Sequence, residues 1–346
     1  MKANLRLDLS DRRARTCLAA GAAVLLITGC APLANIEQPP SSLAPPFAPK
    51  AGAPRAPALA RFALVSGAHL AVGMDRTGSL IASGGAGYQP LMHPVAASGQ
   101  GPDLYIADIG SGNLYRYDVA LGAMAILPGI HAAIGTRLRA GADSSLYLLN
   151  APGREVLHYA RSGQLLGSYR NDLDLARAVD VGVDSARGRV LVADTMFLHL
   201  VAFHALGQAS YVIALRARGG AGVQSIAAMA IGRDAIYLSD PLARCIVRVA
   251  PDGTITGRFG AGQLSQPAAI AVDRAGRVYV IDASDGTLKV FFEDALLLTL
   301  SPGALGLQQV SDVSIQGDEL VLTDSPGAHV LLMRIGAGTA APMRPQ

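Results

Sequence analysis

Tryptophan is absent from the 346-residue sequence, and cysteine and lysine each occur only three times. Each scarcity excludes something. Without tryptophan, no repeat built on a Trp-Asp dipeptide is available. Cys17, Cys30 and Cys245 are too few for a disulfide framework. The seven histidines, His69, His93, His131, His158, His199, His204 and His329, show no metal-ligand spacing such as His-x-x-x-His. No Gly-x-Ser-x-Gly elbow presents a nucleophilic serine. The clusters Gly84-Gly85-Ala86-Gly87, Gly219-Gly220-Ala221-Gly222 and Gly260-Ala261-Gly262 lack the Gly-Lys-Ser/Thr and the following helix of a phosphate loop. Turn geometry accounts for them. Excess charge is missing too. The formal charge is +3, but five of the 29 bases and two of the 26 acids lie before residue 16. The remainder carries 24 of each, so nothing is left to attract nucleic acid. No catalytic residue, metal site or cofactor is expected.

What is present begins with an address. Lys2, Arg6, Arg12, Arg13 and Arg15 precede an apolar run from Cys17 to Thr28. At 12 residues the run falls short of the ~20 needed to span a bilayer and fits a secretory signal. It ends Leu26-Ile27-Thr28-Gly29-Cys30, which resembles a bacterial lipobox. That resemblance implies cleavage before Cys30 and lipidation of its sulfur. Ala31 follows rather than Asp, and in Gram-negative lipoproteins this resembles the outer-membrane default. The implied location is the periplasmic face of the outer membrane. Cleavage and lipidation would leave Cys245 alone, in the strand-like run Cys245-Ile246-Val247-Arg248-Val249, and it reads as a buried, inert thiol. Eight prolines among Ala and Ser between Pro32 and Pro57 read as an extended tether. The expected organisation is a signal over 1–29, lipidated cysteine and tether over 30–60, a folded region over 61–338 and a disordered tail over 339–346.

The folded region is written in repeats. Asp108, Asn150, Asp194, Asp240, Asp282 and Asp324 are separated by 42, 44, 46, 42 and 42 residues. Each closes a short apolar run: LYIAD, LYLLN, VLVAD, IYLSD, VYVID and LVLTD. Strand-like runs at such a period indicate the blades of a β-propeller. The clearest copy runs from Pro267 through Ala-Ala-Ile-Ala-Val-Asp273 and Val278-Tyr-Val-Ile-Asp282 to Phe292. The second is Ala178-Val-Asp-Val-Gly-Val-Asp184, then Gly188-Arg-Val-Leu-Val-Ala-Asp194. This pattern resembles the NHL-repeat family and implies an all-β, six-bladed propeller. The last repeat lacks a fourth strand, so an N-terminal strand should close the ring. Residues 76–87 match an outer strand and its exit loop at 251–262, which places the closing strand near Ser79 to Ser83. His69 to Met74 is strand-like without an assigned place, and it leaves seven blades open.

Few residues suggest chemistry. One periodic Asp or Asn per blade, always at the same strand end, reads as a turn-holding acceptor. Asn171-Asp172-Leu173-Asp174 is a compact acidic loop without the glycine and distal glutamate of a calcium loop. Aligning the repeats puts Arg137, Asp180 and Asp312 at one position of three innermost strands, where the strong repeat has Ala269. Such residues line a central channel, where propellers bind ligands, and they are the candidate ligand-binding set. The reading is a lipid-anchored, non-enzymatic scaffold for another envelope protein or polymer. The alternative, implied by relatives of NHL-like propellers, is a lyase or lactonase holding a divalent metal in the channel.

Overall fold

The computed structural model describes residues 56–75, 77, 79–81, 87–204, 210–217 and 221–336. The signal, Cys30, the tether before residue 56, residues 82–86 (with Ser83 and Gly84-Gly85-Ala86), glycines 219–220 and the tail 339–346 lie outside the described residues. Six antiparallel sheets follow one another along the chain. Their first strands are Pro94–Gln100, Arg137–Ala140, Ala178–Asp184, Ala228–Ile231, Pro267–Val272 and Asp312–Gln316, which number blades one to six. Within a blade the chain steps sideways strand by strand. In blade five, Pro267–Val272, Val278–Asp282, Thr287–Phe292 and Ala295–Leu300 lie in that order. Val, Ile, Leu and Tyr fill these strands because both faces of a blade are covered by its neighbours. The turn between the first two strands of blade five needs a left-handed residue, and Gly276 supplies it at φ 82°.

Packing shows that the ring is closed. One hydrophobic cluster fills each junction between neighbouring blades: Tyr105 with Leu138 joins one to two, and Tyr169 with Phe203 joins two to three. Leu200 with Met229 joins three to four, Phe259 with Ile270 four to five, and Ile281 with Leu331 five to six. Val321 and Leu332 of blade six then pack with Ile106 and Tyr115 of blade one. Six junctions for six blades leave no open side.

The closing strand is N-terminal, as expected, but it is Ala58–Val65 and not the segment near Ser79. It pairs antiparallel with His329–Gly336, Ala58 opposite Gly336 and Val65 opposite Val330. Its start lies three residues before the boundary that composition placed at residue 61. The proline-rich stretch runs up to Pro57 and masks the strand that follows. Leu80–Ile81 instead pairs with Gly73–Met74, and Leu80 packs on Ala123 and Ala125 of blade one. Gly67–Leu70 adds to the outer edge of blade one, parallel to Ala123–His131. No seventh blade forms among the described residues.

The periodic carboxylates hold the ring together. Asp194 accepts the N–H groups of Ala176 and Arg177, in the linker entering its blade, and those of Met196 and Phe197, in the turn leaving its strand. Asp108, Asp240, Asp282 and Asp324 each grip two linker N–H groups in the same way. Blade two differs. Asn150 donates to Glu155 at 2.9 Å, and the linker N–H of Ala133 turns to the Thr136 hydroxyl at 3.0 Å. A cavity of about 260 Å³ lies there, lined by Ile130, Ile134, Leu149, Asn150 and Tyr159.

Candidate functional site

Register fixes where the candidate residues stand. Arg137 lies opposite Leu149, Asp180 opposite Ala193, Asp312 opposite Thr323 and Ala269 opposite Ile281. Each partner immediately precedes the periodic Asp or Asn, so all four occupy one level of the inner strands. Ala96 and Ala228 hold that level in blades one and four. Three charged residues thus share this level with three alanines, Arg137 and Asp180 on neighbouring blades and Asp312 apart from them, and the small alanine side chains leave the charged groups room.

The three charged residues meet a fourth that repeat alignment misses. Asp180, fully buried, takes the guanidinium of Arg139 at 2.9 Å to both oxygens. It also accepts the Met229 N–H at 2.8 Å from blade four. Asp180 therefore ties blades two, three and four together, and its acceptor capacity goes into structure. Asp312 is different. It is 4% exposed, and its Oδ2 has no hydrogen-bond partner. Burial pushes its carboxyl above the ordinary carboxylate range, against the pull of Arg137 and Arg139, and the charge on Asp180 reinforces the rise. Arg137 is half-buried; its backbone pairs with Leu149, and its side chain makes no hydrogen bond or ion pair among the described residues. The site therefore keeps one spare cationic donor and one spare buried oxygen. A signal for Arg139 existed in the sequence: residues i and i+2 of a strand share a face, so Arg137 brings Arg139 with it.

Two residues further along each inner strand the channel widens into a cavity of about 1600 Å³. Its wall includes Arg139, Ser98 and Met229, and its mouth is ringed by the first hairpins, among them Gly141, Ser185, Asp234, Arg274 and Asp318. Arg139 links this cavity to the buried charges behind it.

Other candidates fall into structural roles. Asn171 accepts the Leu173 and Asp174 N–H groups and donates to Asp174, while Asp172 pairs with Arg170 at 3.1 Å. Burial raises the Cys245 thiol, outweighing the nearby Arg258, so it stays protonated. His199 and His204 end one strand; His199 meets the Asp174 carbonyl at 2.7 Å, and His204 is exposed. Among the described residues no three His, Cys, Asp or Glu side chains gather, and Asp180 already serves Arg139 and Met229.

No family model matches the sequence, and no curated protein matches it. Solved structures do. A protein of unknown function from Bacteroides thetaiotaomicron superposes with TM-score 0.57 at 13% identity, over 81% of this chain and 76% of that one. A gluconolactonase from Xanthomonas campestris gives 0.53 at 17% identity, over 70% and 86%. Virginiamycin B lyase from Staphylococcus aureus gives 0.51 at 9% identity, over 70% and 95%. At such identities the likeness establishes a shared propeller fold.

Proposed function

We propose that this chain is a lipid-anchored, non-enzymatic binding platform on the periplasmic face of the outer membrane, with its ligand site in the central channel. One observation carries the site. The spare guanidinium of Arg137 and the unpartnered oxygen of Asp312 stand at one level of the inner strands, two residues behind Arg139 and Ser314 of the cavity wall, on the blades that flank blade one. A buried polar atom without a partner costs about 1–3 kcal/mol, which a ligand recovers by bonding it. The matching ligand is small and polar, with an acceptor for Arg137 and a donor for Asp312, as in a hydroxy acid, an amino acid or the end of a sugar polymer. Asp180, bonded to Arg139 and to the Met229 N–H, holds the neighbouring inner strands in place. The lipobox-like Cys30 supports the anchor, and the tether supports reach from the membrane.

The test is a thermal-shift screen of the purified chain against such compounds, followed by calorimetric titration. Binding should disappear in Arg137→Ala and Asp312→Ala. A ligand that binds both variants normally would remove the channel from consideration. Resemblance to a lyase and a gluconolactonase supports the second reading, a metal-dependent enzyme. Stoichiometric metal in the purified protein would favour it over the platform.

A further inference from the structure

The periodic carboxylates gather the interblade linkers and the turns after the second strands onto one face, opposite the channel mouth. Large apolar residues stand out on that face over blades two to four. Ile134, Leu173, Met196, Phe197 and Leu242 are 85, 88, 62, 51 and 71% exposed. Over blades five and six the same positions are polar, such as Gln263, Gln266, Ser284 and Gln309, and no large apolar residue is exposed there among the described residues.

Hydrogen bonds join the apolar sector into one surface. Arg154 reaches the Asp172 carbonyl at 3.5 Å, and His199 meets the Asp174 carbonyl. The Ile226 N–H donates to the Thr195 hydroxyl at 3.2 Å, and the Leu242 N–H to the Ser225 hydroxyl at 3.1 Å. Arg154, Arg177 and Arg244 lie on the same linkers and turns, exposed and without an ion pair among the described residues.

Two of these arginines share one backbone position. The fourth residue after each periodic Asp or Asn is left-handed in every blade: Gly112 and Gly286 at φ 73° and 67°, Arg154, Leu198 and Arg244 at 52°, 53° and 53°, and Ala328 at 55°. A side chain is disfavoured there, so glycine in place of Arg154 or Arg244 removes the guanidinium and relieves the backbone together.

We propose that this sector docks a segment of a partner protein that carries apolar side chains beside carboxylates. The apolar residues supply the buried centre and the arginines supply charge complementarity. A bilayer fits worse, because Asp172 and Asp174 flank Leu173 and would enter the headgroup layer with it. The surface is separate from the channel site.

Selecting a library of random displayed peptides on the full chain tests this. Enriched peptides should place Asp or Glu next to Leu, Ile or Phe. Arg154→Gly and Arg244→Gly should weaken them about tenfold, the loss expected for a hot-spot arginine. The melting temperature should hold or rise, since glycine suits the left-handed turn. Arg137→Ala should bind the peptides normally. The proposal is overturned if no acidic, apolar peptides are enriched or if the glycine variants bind them unchanged. It is equally overturned if those variants melt earlier, if Arg137→Ala abolishes binding, or if the Cys30→Ser chain floats with anionic vesicles in a manner the glycine variants lose.

Discussion

Replacing Asp282 with asparagine separates two tasks that its carboxylate performs together. It grips the linker through the Ser265 and Gln266 N–H groups at 2.8 and 2.9 Å, and it pairs with Lys289 Nζ at 2.8 Å. Asp240 grips its own linker through Gln224 and Ser225 at 2.7 and 3.1 Å, with no cation on it among the described residues. An asparagine keeps the shape and one oxygen at either site, and leaves a buried N–H facing another donor, at about 1–3 kcal/mol. At Asp282 the substitution also strips the counter-charge from Lys289, which is 10% exposed. Breaking a buried pair costs about 3–5 kcal/mol, of which the Gln263 carbonyl at 2.8 Å and Asp285 at 3.7 Å retain part. Asp282→Asn should therefore cost about 2 kcal/mol more than Asp240→Asn. Urea unfolding followed by circular dichroism measures this in a chain without tryptophan. Adding Lys289→Met should remove most of the excess. Burial raises the Asp282 carboxyl, but the bonds from Lys289, Ser265, Ser284 and Gln266 outweigh it and hold it well below the ordinary range. The unfolded chain then binds the proton more readily, so this stability is present above about pH 4 and is lost as the pH falls below it. The gap between wild type and Asp282→Asn should narrow on acidification. Equal costs at Asp240 and Asp282, or a gap that widens in acid, would refute the reasoning.

Removal of residues 1–55 should leave the melting temperature unchanged, while removal through Val65 should expose the edge at His329–Gly336 and cause aggregation, read by light scattering; equal behaviour of the two truncations would contradict the closure. Asp312→Asn should melt higher than wild type at neutral pH, because a raised folded-state carboxyl loses stability as pH rises past about 4, and the difference should vanish in acid. A lower melting temperature at neutral pH would mean that the carboxylate is paired after all. Cys30→Ser should release the chain from the outer-membrane fraction or leave its signal uncleaved, and unchanged fractionation would remove the anchor.

Much of the fold was legible because one residue type does one job at a fixed place. Outside blade two, a carboxylate at the end of the second strand meets two N–H groups brought by the chain itself, so Asp108, Asp194, Asp240, Asp282 and Asp324 mark their blades directly. The level of Arg137, Asp180 and Asp312 was equally readable, since register follows from the same landmark. The partnerships at that level were not. Asp180 finds Arg139 and Met229 on the blades to either side, and repeat alignment carries no angle around the ring. Closure was misplaced for a related reason. An outer strand is covered on one side only, so its apolar signal is weak: Ala58–Val65 has one buried residue in eight. The glycine turn at 84–87 resembled an exit loop more strongly than that strand resembled a strand.

Blade two shows how the ring tolerates a missing grip. With Asn150 turned to Glu155, the linker from blade one loses its carboxylate, and the small cavity beside Ile130 and Leu149 opens. At the opposite end of the same junction, Asp103 binds Arg161 at 2.6 Å and Arg116 at 3.1 Å. Arg116 is fully buried and also donates to the Arg161 carbonyl at 3.1 Å, while the Tyr105 hydroxyl donates to the Ser144 carbonyl. Every one of these contacts except that between Asp103 and Arg116 crosses from blade one to blade two. Buried ion pairs are poor sources of stability, since desolvation offsets most of their attraction, but they penalise every misplaced geometry. The junction without a grip on one face thus holds its angle from the other. That leaves the linker around Ile134 anchored mainly by Thr136, on the face where the exposed apolar sector begins.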